Sequence, residues 1–258
     1  MSTLYITVGP PASGKSFWAY SQNLPVVSTD AIRAEINGDE NDQSNNEKVF
    51  SVARERVCNY LTNGQDVIYD ATNMGYRNRK AMIATVRKLR GTSVRITACV
   101  FVAQIDELYE RNSRRSRHVP EEVIDNMLFY FQPPCKWEGI DEIVYYVKEG
   151  EKTLSDLQTN NLDAFFNERA SELCVKRSLA EACKYIDIGY TWTDKGHAGR
   201  GAYMYLAAGG TPENAALIAY HELPEDMDAY DKMRKVMPID FTYDLDLVHE
   251  ADVRSRFV

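Results

Sequence analysis

Short apolar runs alternate with amphipathic and polar stretches along the first 150 residues of the 258-residue chain. Five of these runs are rich in β-branched and aromatic residues and have the length of buried strands. They cover residues 4–8, 25–28, 66–70, 94–102 and 142–147. Apolar positions three and four apart predict helices over residues 15–22, 30–36, 47–62, 78–90, 105–115 and 121–131. This alternation predicts an α/β fold, in which a parallel sheet has helices on both faces.

The pattern changes near Gly150. Beyond about residue 154 the apolar positions follow a helical spacing only, and no run has the character of a strand. We therefore place a boundary within residues 150–162. It separates a domain of residues 1–150 from a smaller all-α domain of residues 151–258, which has an ordinary domain size of about 100 residues.

The composition is that of a globular protein, with 44% hydrophobic and 26% charged residues. No apolar run approaches the roughly 20 residues that a membrane helix needs, and the first residues lack the basic segment of a signal peptide. The five cysteines are scattered without a CxxC pair. This spacing favours free thiols in a reducing compartment over disulfides or a cysteine zinc site. We therefore expect a cytoplasmic protein with no membrane partner.

The net charge of −8 conceals a basic segment. Residues 77–117 contain 11 basic and three acidic side chains. A segment of this kind can bind a polyanion even on an acidic protein. The alternative is that these charges only solvate exposed helix faces.

A phosphate-binding motif, GxxxxGK[ST], lies between the first predicted strand and the first predicted helix. Its residues are Gly9, Pro10, Pro11, Ala12, Ser13, Gly14, Lys15 and Ser16. Backbone N–H groups of such a loop and the N-terminus of the helix hold phosphate oxygens. Lys15 can reach the β- and γ-phosphates, and the Ser16 hydroxyl can ligate Mg²⁺. The motif, a Walker A sequence or P-loop, therefore predicts ATP and Mg²⁺ as cofactors.

Two polar residues follow the second predicted strand. Asp30 can accept a proton from an attacking hydroxyl if it faces the γ-phosphate. Its alternative role is that of a plain helix N-cap. Arg33, one helical turn further along, can hold a phosphate of the acceptor through two hydrogen bonds.

Arginine is concentrated in residues 111–117, at the end of a predicted helix. This segment can close over ATP as a lid, so that its arginines stabilise charge on the transferring phosphoryl group. The alternative is a solvated helix end.

At these positions the chain resembles the kinase domain of bacteriophage polynucleotide kinases. The resemblance covers residues 1–150 and is carried by motifs in the same order and spacing: 9–16, 28–33, 70–73 with Arg77 and Arg79, and 111–120. It implies transfer of the ATP γ-phosphate to a 5′-hydroxyl end of DNA or RNA. One departure concerns the third-strand tetrapeptide, which reads DATN in this chain, so the acceptor contacts are matched less closely than the ATP contacts.

The resemblance also implies roles for individual residues. Lys15 and Arg115 contact ATP phosphates, with Arg111 as a weaker candidate. Ser16 holds Mg²⁺, Asp30 is the general base, and Arg33 holds the acceptor-side phosphate. The residues implied on the acceptor side are Arg33, Thr72, Asn73 and Arg77.

The region after residue 150 has weaker relationships. We do not expect a haloacid-dehalogenase phosphatase, because only 12 residues of this sequence follow the Asp-x-Asp sequence at 244–246. The order of Asp187, His197, His221 and Asp252 resembles an HD-type metal phosphohydrolase, but Ile186 replaces the histidine of the HD pair. We therefore expect a degenerate HD-like helical scaffold for substrate contact or self-association into a homo-oligomer. A bifunctional enzyme with an HD-type phosphatase is the alternative.

The leading hypothesis is an ATP-dependent polynucleotide 5′-hydroxyl kinase in nucleic-acid end repair, with a 5′-OH end of DNA or RNA as its partner. One alternative is a P-loop kinase acting on a modified base in DNA, on a nucleoside or on a small alcohol. A second is a nucleotide-binding regulatory module without transfer activity.

Overall fold

The computed structural model describes residues 1–148, 150, 152–159, 164–189 and 196–256. The chain forms two compact units. Unit 1 contains Met1–Phe101 and Pro134–Tyr146, and unit 2 contains Val102–Pro133 and Val147–Val258. The predicted boundary at residues 150–162 lies partly outside the described residues and stays a prediction.

Unit 1 is built on a five-stranded parallel sheet with the strand order β2-β3-β1-β4-β5. The strands are β1 (Ser2–Val8), β2 (Val26–Ser28), β3 (Val67–Asp70), β4 (Val94–Val102) and β5 (Glu142–Val147). The central strand β1 pairs with β3 and β4, and its aliphatic residues Leu4, Ile6 and Val8 are fully buried, as expected for a strand covered on both faces. The predicted α/β fold is confirmed.

Four helices connect these strands in unit 1. They are α1 (Lys15–Ser21), α2 (Thr29–Asn37), α3 (Asn46–Thr62) and α4 (Tyr76–Arg90). Helix α2 ends at Gly38, whose left-handed conformation (φ 78°) suits glycine. The predicted ends of these strands and helices agree with the structure to within two residues.

The first turn of α2 tests the N-cap role considered for Asp30. The N-cap of this helix is Ser28, whose hydroxyl accepts a hydrogen bond from the Ala31 N–H at 3.4 Å. Asp30 lies inside the first turn, so the alternative in which Asp30 is itself the N-cap is wrong.

In the described part of unit 2 all regular secondary structure, apart from the last residues of β4 and β5, is helical. The helices are α5 (Ile105–Ser113), α6 (Glu121–Phe129), α7 (Leu154–Thr159), α8 (Ala164–Leu173), α9 (Ala180–Lys184), α10 (His197–Ala207), α11 (Pro212–Tyr220), α12 (Met227–Arg234) and α13 (Ile239–Arg256). Helix α10 contacts the end of α6 through Gly199, where a Cβ atom would lie 2.3 Å from the Phe129 carbonyl oxygen. Among the helices that the structure describes, none is both long and apolar enough to cross a bilayer.

Candidate active site

The loop between β1 and α1 has the backbone conformation of a phosphate cradle. Gly9 has a φ of 151°, and a Cβ atom there would lie 2.7 Å from the Phe101 carbonyl oxygen, so only glycine fits. Its N–H donates to the Thr72 carbonyl at 2.9 Å, which joins the loop to the end of β3. Gly14, at the N-cap of α1, is left-handed with φ 99°. The loop thereby turns its backbone N–H groups around the start of a helix, where phosphate oxygens bind.

Lys15 is buried at the base of this loop. Its ammonium group donates to the Pro10 carbonyl oxygen at 2.7 Å. This hydrogen bond folds the side chain back across the loop.

Ser16 forms a contact that the sequence analysis did not anticipate. Its hydroxyl donates to Asp70 Oδ2 at 2.8 Å, and Asp70 Oδ1 accepts from the Thr7 hydroxyl at 3.1 Å. A hydroxyl and a carboxylate oxygen side by side suit Mg²⁺, which prefers oxygen ligands. Asp70 was missed as a candidate, although it ends an apolar strand next to the P-loop strand, as the magnesium-binding Asp of P-loop NTPases does.

We expect Asp70→Asn to lower the rate of phosphoryl transfer and to raise the Mg²⁺ concentration needed for half-maximal rate, by about 10-fold or more each. An amide oxygen keeps the shape but removes the negative charge that favours the cation. The measurement is a magnesium titration of the transfer rate. Asp66→Asn is the matched control, since Asp66 accepts from the Thr3 N–H at the opposite end of the strand. Equal magnesium requirements for the Asp70 variant and the wild type would contradict the assignment.

Asp30 and Arg33 form an ion pair on α2. Arg33 Nη1 lies 2.7 Å from Asp30 Oδ1, and the Arg33 side chain is only 6% exposed while that of Asp30 is 46% exposed. Arg33 also donates to the Glu40 carbonyl and to Asn46 Oδ1. The guanidinium is therefore fixed from several sides, and it holds the Asp30 carboxylate at a set position facing solvent.

The end of β3 connects Asp30 to the P-loop. Ser28 and Asp70 are aligned partners in the β2–β3 ladder, and the Thr29 hydroxyl donates to the Asp70 carbonyl oxygen at 3.4 Å. A continuous set of hydrogen bonds thus runs from Ser16 through Asp70 to the residue before Asp30. These contacts lie at the carboxyl ends of neighbouring parallel strands, the edge at which ligands of such sheets bind.

Thr72 and Asn73 form hydrogen bonds that link the end of β3 to β1 and the P-loop. The Thr72 carbonyl accepts from Gly9, and the buried Asn73 side chain donates to the Thr7 carbonyl at 2.9 Å. Asn73 has a φ of 47°, a left-handed conformation that asparagine tolerates. Their role in substrate binding stays a prediction, and the structure directs the Asn73 amide towards β1.

A buried ion pair stabilises the segment that contains Asn73. Arg79 donates to both carboxylate oxygens of Glu138, at 2.8 and 2.7 Å, and both side chains are fully buried. A third hydrogen bond, 2.8 Å long, reaches the Asn73 carbonyl. The guanidinium thereby fixes the backbone of the DATN segment.

A cleft of about 250 Å³ opens between α3 and α4, above Tyr69 of β3. Its lining includes Arg77, Arg54 and Phe50; the first of these was predicted and the other two were missed. Burial raises the pKa of Tyr69, while the positive charges of Arg54 and Arg33 oppose that shift, which places both guanidiniums near the ring. Arg54 and Phe50 lie on one face of a polar-looking helix, and only the position of α4 shows that this face is a wall of the cleft.

The two lid arginines belong to unit 2. Arg111, on α5, forms an ion pair with Glu107 at 2.8 Å, and Arg115 is exposed just beyond the end of that helix. Their contact with ATP stays a prediction.

The histidines of the C-terminal region are not isolated. Asp187, His197 and His221 offer ligand atoms that all lie within 4.8 Å of one another. Burial by itself would raise the pKa of Asp187. A hydrogen bond from His197 and the charges of His221 and Arg256 have the larger combined effect, so the pKa lies below its usual value. Burial and the nearby Asp187 charge raise the pKa of Asp252. Membership of the HD family stays a prediction.

Solved structures with some similarity come from several kinases and repair enzymes. A chain of the Pnkp1/Rnl/Hen1 complex is 28% identical over 46% of this chain and 41% of that chain, with a TM-score of 0.39. A chain from a second structure of that RNA repair complex is 24% identical over 60% of this chain and 53% of that chain, with a TM-score of 0.44. A gluconokinase from Sinorhizobium meliloti 1021 is 17% identical over 55% of this chain and 81% of that one, with a TM-score of 0.38.

This chain therefore spans about half the length of the repair-complex chains that it matches. A comparison with curated proteins found no significant match. Residues 4–134 match the sequence profile of a family described as an AAA domain. That stretch is half of the chain and contains the P-loop, Asp30, Arg33 and Asp70. The chain therefore belongs to the AAA domain family, as a P-loop domain of the kinase type.

Proposed function

We propose that this protein is an ATP-dependent polynucleotide kinase, which transfers the γ-phosphate of ATP to a 5′-hydroxyl end of DNA or RNA in end repair. The observation that carries the proposal is the hydrogen-bonded path from Ser16 through Asp70 to Thr29, next to an Asp30 carboxylate that Arg33 holds at 2.7 Å. A protein that only binds a nucleotide does not require a carboxylate held in a fixed position after β2, as Asp30 is.

The transfer step uses these groups in defined roles. The 5′-hydroxyl oxygen forms a bond to the γ-phosphorus, the bond to the bridging oxygen breaks, and ADP leaves with the electron pair. The hydroxyl proton passes to Asp30. Lys15 and the P-loop N–H groups neutralise charge on the phosphates. Ser16, with Asp70 beside it, would hold Mg²⁺, which would supply further charge neutralisation.

The acceptor side is the cleft between α3 and α4. Its lining has two positive charges, from Arg54 and Arg77, against one negative charge, from Glu47. The side chain of Phe50 lies at its wall, where a base can stack on the ring. Phosphate contacts account for most nucleic-acid affinity, so two arginines here favour an oligonucleotide over a neutral alcohol. Arg33 would hold the phosphate that follows the 5′-terminal nucleoside, and Thr72 and Asn73 would shape the floor.

The remaining parts of the proposal concern the rest of the chain. Arg111 and Arg115 would stabilise the transferring phosphoryl group as a lid. The helical region from about residue 151 to 258 would form a second domain that contacts the nucleic acid or associates with a second copy.

A phosphate-transfer assay tests this function. We expect transfer of labelled phosphate from ATP to 5′-OH oligonucleotides of DNA and RNA to exceed transfer to nucleosides or gluconate by at least about 10²-fold in kcat/KM, because only the oligonucleotide offers phosphates to the arginines. A modified base inside a duplex is also expected to be a poor acceptor, because it is not a 5′-hydroxyl end. Arg54→Gln and Arg77→Gln are expected to raise KM for the oligonucleotide. Lys48→Gln, a change on the exposed side of α3, is the control. Efficient transfer to a small alcohol with none to oligonucleotides would contradict the substrate class.

A further inference from the structure

Three side chains from separate loops and helix ends of unit 2 converge in its interior. Asp187 lies beyond the end of α9, His197 begins α10, and His221 follows α11. Their exposed fractions are 0%, 6% and 1%. Charged or titratable groups are rarely buried unless they are paired or bind a metal ion.

The three facing atoms have the spacing of a metal-ligand set. The two imidazole Nε2 atoms are 3.2 Å apart. Asp187 Oδ1 lies 3.2 Å from Nε2 of His197 and 3.9 Å from Nε2 of His221. The point equidistant from the three atoms is about 2.0 Å from each, which is the length of a bond from zinc to nitrogen or oxygen. Tetrahedral bonds of about 2.1 Å separate ligand atoms by about 3.4 Å, close to the mean of the three separations.

The outward-facing ring nitrogens fix how the imidazoles are oriented. His221 Nδ1 lies 2.7 Å from the Ile218 carbonyl oxygen, which can only accept, so the proton of the neutral ring is on Nδ1 and the lone pair of Nε2 points into the cluster. His197 Nδ1 faces a carboxylate oxygen of Glu222 at 3.8 Å. A carbonyl partner like that of His221 orients metal-binding histidines in proteins, whereas the Glu222 carboxylate is too far from His197 for a direct hydrogen bond.

The second carboxylate oxygen of Asp187 is already engaged. Arg256 donates to Oδ2 at 2.6 Å and also contacts Asp252 Oδ1 at 3.3 Å. Oδ1, in contrast, is buried and faces the Nε2 atoms of both histidines. Arg256 thus leaves Oδ1 as the Asp187 ligand atom and contacts one oxygen of Asp252, so the set consists of two nitrogens and one oxygen.

We propose that Asp187, His197 and His221 bind a single divalent transition-metal ion of the zinc type, with one coordination position left for water or an anionic ligand. Three protein ligands of this composition leave an open position, whereas purely structural zinc sites use four. The site is separate from the proposed kinase centre and does not depend on it. It differs from the degenerate scaffold that the sequence analysis expected, and from a two-metal site, because Ile186 is apolar and Asp252 is held by Arg256.

Metal titration of the full-length protein tests the site. After chelator treatment we expect one equivalent of Co²⁺ to produce the visible absorption of a four-coordinate site, and Zn²⁺ to displace it. His221→Asn and His197→Asn are expected to lower Zn²⁺ affinity by more than about 10²-fold. His118→Asn, an exposed histidine outside the cluster, is the matched control and is expected to bind like the wild type. Wild-type protein that binds no metal, or variants that bind as tightly as the control, would overturn the proposal.

A second measurement needs no variant and therefore does not depend on whether the variants fold. The protein has only four histidines, so their ring nitrogens can be followed by NMR. Zn²⁺ is expected to shift the Nε2 signals of two histidines, with Nδ1 protonated in at least one, and to leave the other two unchanged. A pair of histidines joined through a proton at Nε2, and unaffected by Zn²⁺, would show that the cluster is held by hydrogen bonds and would refute the metal site.

Discussion

Asp30→Asn is expected to lower kcat for phosphoryl transfer by about 10²–10⁴-fold, the contribution of a positioned general base. Asparagine has nearly the same shape and can still accept the hydrogen bond from Arg33 that the structure shows at 2.7 Å. It cannot take a proton from the attacking hydroxyl. The loss therefore falls on the chemical step, and the affinity for ATP is expected to stay within about 2-fold of that of the wild type.

The measurement pairs single-turnover transfer to a 5′-OH oligonucleotide with calorimetric titration of ATP. Asp39→Asn is the matched control, because Asp39 is an exposed residue of the next loop whose carboxylate accepts only local hydrogen bonds from Asn41 in the described structure. Undiminished transfer by the Asp30 variant would remove the general base from the proposal and leave nucleotide binding alone. Loss of ATP binding would instead indicate that the substitution disturbs the P-loop.

Arg79→Met is expected to lower the free energy of unfolding of unit 1 by about 3–5 kcal/mol, because it leaves the fully buried Glu138 carboxylate without its partner. Glu138 would keep only the backbone N–H of Cys135, at 3.0 Å, as a donor that the structure describes. The Asn73 carbonyl would lose the hydrogen bond that Arg79 donates to it. We therefore expect weaker ATP binding as well, since the neighbouring Thr72 carbonyl anchors Gly9 of the P-loop.

Denaturant unfolding monitored at several wavelengths measures this loss. The double variant Arg79→Met/Glu138→Leu is expected to recover much of the stability, because an apolar pair of similar volume carries no buried charge. Arg56→Met is the control: Arg56 pairs with Glu35 in the same two-hydrogen-bond geometry, but both side chains are about half exposed, and we expect a much smaller effect. Equal losses for the buried and the exposed arginine would contradict the argument from burial.

Local sequence was sufficient for the elements of unit 1. The strands are short apolar runs because they are covered on both faces, and a buried strand needs no partner-specific information to be recognised. The P-loop could also be recognised from local sequence, because its motif spans only eight positions. Two of these, Gly9 and Gly14, have backbone conformations that favour glycine. The role of Asp30 inside α2 could not be separated from a cap by sequence, because Ser28, Thr29 and Asp30 can all serve as caps.

The contacts that complete the site are between residues far apart in the chain. Ser16 contacts Asp70, and Arg79 contacts Glu138. Arg54 and Arg77 line the same cleft from two different helices. Strand order and helix packing bring each of these pairs together. Periodicity carries no information about such pairs, so Asp70 and Arg54 were not recognised as site residues.

The chain's own pattern determined the α/β class, the position of the phosphate loop and the all-helical character of the C-terminal region, because each depends on spacing within one short segment. Tertiary structure alone decided that Asp70 faces Ser16, that Asn73 turns inward, and that two histidines 24 residues apart place their Nε2 atoms 3.2 Å from one another beside Asp187. Those contacts form only when separate elements pack against one another. The packing is stabilised by burial of a core to which many segments contribute, so no single segment predicts the contacts.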